Sequence, residues 1–327
     1  MSADLCLLSI HAHPDDESSK GASTVACYHA QGVRTVLVWC TGGELGDVVN
    51  PKLDSQEVRD NLTAVRREEL AQAAKIIGFD EVVMLGYRDS GMPASPGNFD
   101  VRCFHQAPLA EAVGRLVAII RRTRPQVILT YGDDQQGYPH PDHLRVHDIS
   151  LAAFDAAGDP DAYPWAGPSW QPQKMYYSVW SRARFLAMHE RYLELGMDSP
   201  FDQKWFDRPN QDDRVTTCIE VGDYYDVRVN ALLAHATQID PESKWWFGLP
   251  NDVAKTVHPY EEYTLARSLV VEIPDETERR RRRAEALDVS EASAVSEASA
   301  VSEASAVSEV VDGLAIETDL FAGLRDG

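Results

Sequence analysis

The residues best equipped for chemistry fall in two short clusters, His13-Pro14-Asp15-Asp16-Glu17 and His140-Pro141-Asp142-His143. Imidazole and carboxylate are the nitrogen and oxygen donors that hydrolytic metal sites use, and three such ligands leave one position open for water. His13 and Asp16 can reach one ion from the same turn, and His143 is the third ligand, arriving from across the fold. Asp15 faces away from Asp16 on that turn and is free to take a proton from water as a general base. Pro141 suits the first turn of a helix, which puts His140 at the cap and His143 one turn later. His140 is there expected as a protonated oxyanion stabiliser or general acid, with Asp142 raising its basicity and fixing its ring. Tyr138 offers a phenol to the same oxyanion. His147, four residues after His143, is a rival ligand, set aside because Asp16 already completes the set of three. One His-Pro-Asp-Asp alone would read equally as a turn with an Asp cap. Two such clusters point to a metal site.

Both clusters need elements that deliver them to one point. Residues 5–10 and 127–130 are apolar runs that read as buried parallel strands, and each cluster lies beyond the carboxyl end of one. That is the end at which open α/β sheets bind ligands. Between them the pattern alternates: a helix at 21–31 ending at Gly32, a strand at 34–40, a helix at 55–77 stopped by Gly78, a strand at 82–85 and a helix at 107–122. Alternation of this kind predicts an α/β fold, a Rossmann-like, mostly parallel sheet flanked by helices. The loop at 41–47, with Glu44 and Asp47, matches neither the dinucleotide nor the phosphate-binding glycine fingerprint and reads as a flexible substrate loop.

After residue 159 the texture turns to Pro, Trp and Gly, followed by strands at 175–179 and 215–221 and helices at 181–195 and 223–236. The predicted organisation is a metal-dependent hydrolase core at 1–170, a smaller C-terminal α/β part at 171–273 that closes over the carboxyl edge of the sheet and completes the pocket, and an acidic, mobile tail at 274–327. That tail carries a basic run at 279–283 and three copies of Val-Ser-Glu-Ala-Ser-Ala at 289–306, too little apolar surface for a solenoid core. Docking of Asp319-Leu320-Phe321 and Leu324 and disorder of the same stretch are equally open.

The 327 residues suffice for one large domain plus an addition. With 52 Asp and Glu against 31 Lys and Arg, the formal charge of -21 repels phosphate backbones and anionic membranes, which excludes nucleic acid as a partner. Five scattered cysteines without a Cys-x-x-Cys pair, no basic leader and no apolar run of membrane length imply a cytoplasmic protein. A homo-oligomer is left open.

The two clusters together resemble the signature of the LmbE-like, or glucosaminyl-phosphatidylinositol de-N-acetylase, family of zinc amide hydrolases. Ser18-Ser19-Lys20-Gly21-Ala22, Cys40-Thr41-Gly42-Gly43-Glu44, Asn50-Pro51-Lys52-Leu53, Asp89-Ser90-Gly91, Gly137-Tyr138-Pro139-His140 and residues 235–241 resemble the branch that hydrolyses mycothiol S-conjugates. The resemblance implies cleavage of the amide joining an S-substituted N-acetylcysteine to glucosaminyl-inositol, in detoxification or antibiotic assembly. It implies zinc, or ferrous iron in the cell, on His13, Asp16 and His143, with Asp15 as base and His140 and Tyr138 on the oxyanion side. Sugar-inositol contacts fall on Arg66 and Asp89 and the acidic loop position on Asp47, while Lys20 suits the acyl-cysteine side. Trp165, Trp170, Trp245 and Trp246 are candidates to line a site for the S-substituent, against ordinary core packing. The competing functions are an N-acetylglucosaminyl-inositol deacetylase with the same metal machinery and a non-catalytic metal-binding protein.

Overall fold

The computed structural model describes residues 5–133, 138–270 and 317–325. The basic run and the hexad repeat lie outside the described residues. In chain order the elements are β1 Cys6–His11, α1 Asp16–Ser19, α2 Ala22–Ala30, β2 Arg34–Thr41, α3 Gln56–Asp60, α4 Leu62–Ile77, β3 Glu81–Tyr87, α5 Leu109–Thr123, β4 Val127–Thr130 and α6 Pro141–Ala157. They continue with β5 Lys174–Val179, α7 Arg182–Glu194, α8 Gln203–Phe206, β6 Thr217–Glu220, α9 Tyr225–Ala234, α10 Lys244–Phe247, α11 Asn251–Val257 and β7 Tyr260–Ser268.

All seven strands form one sheet in the order β3-β2-β1-β4-β5-β7-β6. The first five are parallel, and β7 runs antiparallel to both β5 and β6. β1 and β4 are buried along their whole length, as strands covered on both faces must be. On one face Leu8, Ile10 and Ile128 pack with Leu116 and Ile120 of α5 and Val146 and Ile149 of α6. On the other, Leu7, Val127 and Leu129 meet Val25 and Tyr28 of α2, Ile77 of α4 and Ala231 of α9. The chain leaves β1 toward β2 on one side and reaches β4 on the other, so the order reverses between β1 and β4. Helices cannot fill the sheet's carboxyl edge at such a switch point, and a crevice opens there.

Three expectations change. The helix expected at 55–77 is two, because Asn61 breaks it: its Nδ2 donates to the Glu57 carbonyl at 2.8 Å and competes with the backbone for it. Among the described residues, segment 171–273 has no sheet of its own, since β5, β7 and β6 extend the first. What it adds over the carboxyl edge is a small apolar cluster that includes Phe185, Tyr192, Phe201 and Leu249. The end of the tail is packed in place, with Leu320 and Phe321 fully buried among Tyr28 and the α2 side of the sheet. Glu317 holds Lys174 Nζ at 2.6 Å and Tyr176 Oη at 2.7 Å, and its main chain exchanges hydrogen bonds with Thr216 and Cys218. Among the described residues no helix is long and apolar enough to cross a membrane.

Candidate active site

The turn after β1 is built around a strained residue. Asp15 has φ 104°, a conformation costly for any residue but glycine, and three hydrogen bonds hold the turn there. Its N–H donates to Glu17 Oε2 at 3.0 Å, and Arg66 Nη2 donates to the Pro14 carbonyl at 2.6 Å and to Asp15 Oδ2 at 3.1 Å. Glu17 is tied in turn to His235 Nε2 at 2.6 Å, which anchors the turn to the C-terminus of α9. The other cluster forms as expected: Pro141 opens α6 and His140 caps it, its Nδ1 accepting from the Asp142 N–H at 3.2 Å.

These two turns meet. His13 Nδ1 lies 3.5 Å and His143 Nε2 lies 3.4 Å from the same oxygen, Asp16 Oδ2. Donors about 2.1 Å from one tetrahedral ion stand about 3.4 Å apart, so the spacing fits three ligands facing a shared cation. The second nitrogen of His13 faces Asp142 Oδ2 at 3.2 Å, and Asp142 is pinned by the Ser90 N–H at 2.9 Å and by a short bond from the Ser90 hydroxyl. A carboxylate on the far nitrogen is what orients a metal-ligating imidazole. A second grouping, His13, Asp89, His140 and Asp142, also has its donor atoms within 4.8 Å of one another. There the Asp89 oxygens accept from the Gly91 and Leu45 N–H groups, at 2.7 and 3.2 Å, as Asp16 Oδ2 accepts from the His13 N–H at 3.0 Å, so both sets are anchored by main-chain donors.

Electrostatics agree with a cation at this point. Burial would lower His13, but Asp142, Asp16 and Asp89 raise its pKa well above the usual imidazole value. Burial would raise Asp16, but His143 and Lys20 hold it well below the usual carboxylate range, with Lys20 Nζ 2.8 Å from Oδ1. Asp15 is pushed up to about 6 by burial, against the pull of Arg66 and with help from Asp16.

One expectation fails here. Asp142 raises His140 only through its charge, since its carboxylate hydrogen-bonds to His13 and Ser90, and this does not keep the ring protonated. Burial and the neighbouring His13 lower the His140 pKa to about 4, so the ring is neutral near pH 7. With Nδ1 accepting a backbone N–H, its proton sits on Nε2, and it can donate one hydrogen bond without being charged.

A cavity of about 900 Å³ opens over the cluster. His13, Asp15, Asp16, His140 and His143 line it, as do Lys20, Asp47, Arg66, Asp89 and Tyr138. Glu44 does not: its Oε2 accepts the Asp89 N–H at 2.9 Å and so holds the loop behind the site. The glycines at 43 and 46 are explained by Arg66. A Cβ on Gly43, whose φ is 65°, would stand 2.2 Å from Arg66 Nη1, and that same nitrogen donates to the Gly43 carbonyl at 2.6 Å. His147 is turned away to the Tyr131 carbonyl at 3.1 Å. Of the four tryptophans, Trp245 and Trp246 line the cavity, whereas Trp165 is 65% exposed and Trp170 Nε1 donates to the Pro125 carbonyl.

Sequence reasoning missed Tyr131, whose ring stacks on His143 at 4.7 Å and whose hydroxyl donates or accepts at His11 Nδ1 and takes the Ala12 N–H. It also missed Ser90 and His235 as supports, and Trp180 and Trp205 as cavity walls. Ser90 and His235 stand inside stretches that carried the family resemblance, which was the available signal.

Residues 8–154 match the family model described as GlcNAc-PI de-N-acetylase. A mycothiol S-conjugate amidase of Streptomyces coelicolor is 43% identical over 279 residues, 83% of this chain and 94% of that protein. A 1D-myo-inositol 2-acetamido-2-deoxy-alpha-D-glucopyranoside deacetylase of Frankia alni is 38% identical over 282 residues, 79% of this chain and 93% of that one. N,N'-diacetylchitobiose deacetylase from Pyrococcus horikoshii superposes with a TM-score of 0.56 at 17% identity, over 82% of this chain and 86% of that one. At that identity the likeness speaks to the fold alone.

Proposed function

Because the chain belongs to the GlcNAc-PI de-N-acetylase family, we propose that it is a zinc-dependent amidase that hydrolyses mycothiol S-conjugates to an S-substituted N-acetylcysteine and glucosaminyl-inositol. Its relatives are amidases and deacetylases of one kind of bond, and this chain is an enzyme that acts on an amide. The observation that carries the choice of substrate is the cavity, in which the His and Asp cluster shares one space with Trp180, Trp205, Trp245 and Trp246. An acetyl group would leave most of that aromatic wall without contact, whereas an S-substituent on the cysteine fills it. Five cysteines without disulfides suit a cytoplasmic setting.

His13, Asp16 and His143 would hold the metal. When bound, a divalent ion supplies Lewis-acid polarisation of the amide carbonyl and lowers the pKa of water beside it. Asp15 takes the proton as water attacks the carbonyl carbon, and its raised pKa suits a base working near neutrality. Arg66 keeps the Asp15 carboxylate aimed while remaining outside the proton transfer. The neutral His140, through Nε2–H, and the Tyr138 phenol donate to the oxyanion. When the C–N bond breaks, the proton held by Asp15 passes to the departing amine of glucosaminyl-inositol. Lys20, already paired with Asp16, balances that carboxylate as well as facing the cavity.

The test gives the purified protein a bimane conjugate of mycothiol and N-acetylglucosaminyl-inositol in parallel. A kcat/KM at least tenfold higher for the conjugate is expected. Faster turnover of the acetylated sugar would reverse the assignment to the deacetylase, and no turnover of either in a metal-loaded sample would leave a metal-binding protein.

A further inference from the structure

Behind the aromatic wall lies a second, much smaller cavity. Its volume is about 30 Å³, and it shares Trp180, Phe185, Trp245 and Trp246 with the substrate cavity. The rest of its lining includes two arginines, Arg184 and Arg228, together with His258, and no acid.

Arg228, from α9, is 6% exposed. Its Nε has no hydrogen-bond partner, and its guanidinium has no ion pair among the described residues. It rests against the face of Trp246 at 5.4 Å. Burial, and then the charge of Arg184, pull its pKa down to about 10. The nearby carboxylates reach the arginines only through their charge at longer range, Glu261 acting on Arg228 and Glu262 on Arg184, and they accept hydrogen bonds from other groups. Glu262 accepts the Ser181 N–H at 3.2 Å and faces His258 at 3.5 Å, while Glu261 accepts the Thr24 N–H at 2.9 Å and the Tyr263 hydroxyl at 3.3 Å. A buried, unpaired guanidinium is costly, and the cost is offset only by negative charge or strong hydrogen-bond acceptors.

We propose that this cavity binds a single halide-sized anion between Arg228 and Arg184. So small a space suits a monatomic ion better than sulfate, phosphate or a carboxylate-bearing molecule. Trp180 and Trp246 separate the anion from the substrate, so its occupancy braces the wall against which the larger ligand packs. The inference is independent of which amide is cleaved.

The experiment measures the thermal midpoint of the full chain while sodium gluconate is replaced by sodium bromide at constant ionic strength. The midpoint is expected to rise and level off, by roughly 2–4 °C for a site filled well above its dissociation constant. Arg228→Met should abolish the rise, and Arg184→Met should weaken it at least tenfold in bromide concentration. Methionine removes a buried charge without opening the packing, a change that proteins often tolerate. Should the first variant not fold, the second decides together with diffraction from wild-type crystals grown in bromide, where an anomalous peak beside Arg228 is expected. A midpoint that follows bromide identically in wild type and variants, or a water at that position, overturns the proposal.

Discussion

At the scale of single residues, the proposed mechanism separates the work of holding a cation from the work of moving a proton. His13 has Nδ1 directed at Asp16 and its other nitrogen at Asp142, so its removal takes away a ligand and the group that Asp142 orients. We expect His13→Ala to lose most of its bound metal, read by elemental analysis after dialysis. Full occupancy in that variant would sink the ligand assignment. Asp15 sits beside this set without joining it. Asparagine tolerates positive φ and cannot accept the proton, so Asp15→Asn should keep the metal and the fold and lower kcat by roughly 10²–10⁴. Unchanged kcat would mean that another group takes the proton. Both clusters were legible because His, Pro and Asp at these spacings leave few structural alternatives. The protonation of His140 was not legible, because it depends on burial in the folded site and then on His13 arriving from a strand some 130 residues away.

At the scale of elements, the strands that deliver the clusters were readable from apolar runs and the helices from their spacing. What sequence could not give was which glycine serves which neighbour. The loop at 42–46 looks flexible on composition, yet Gly43 is glycine because the buried Arg66 packs onto its backbone. Gly43→Ala is therefore expected to displace Arg66 and loosen Asp15, lowering kcat/KM by more than tenfold while metal content stays unchanged. A normal rate in Gly43→Ala would show that Arg66 has no part in aiming the base. The same blindness hid the break at Asn61, where one side-chain hydrogen bond outweighs a run of good helix formers. Strands β6 and β7 were hard to place for a related reason: antiparallel additions to a parallel sheet leave no mark in local periodicity, and register comes from partners distant in sequence.

At the scale of the whole molecule, the far end of the chain returns to complete the sheet's outer half. Lys174 is fully buried in β5, and Glu317 is its carboxylate partner. Leu320 and Phe321 cover the opposite end of α2, with the Leu320 N–H donating to Tyr28 Oη at 2.7 Å. Composition could not foretell this, because two apolar residues after an acidic repeat are as consistent with an idle tail as with a docked one. The consequence is a sharp contrast between two shortened proteins. Ending the chain after residue 270 strands the Lys174 charge and uncovers Tyr28, and the Glu317→Ala variant alone should cost roughly 3–5 kcal/mol in chemical denaturation. Removing only residues 289–306 keeps residues 317–325 on the chain and changes the closure entropy of the connection by less than about 0.6 kcal/mol. That deletion should therefore leave both the denaturation midpoint and kcat/KM at the full-length values. If it instead destabilises the protein as much as the truncation does, the repeat and not the docked end is what supports the outer strands.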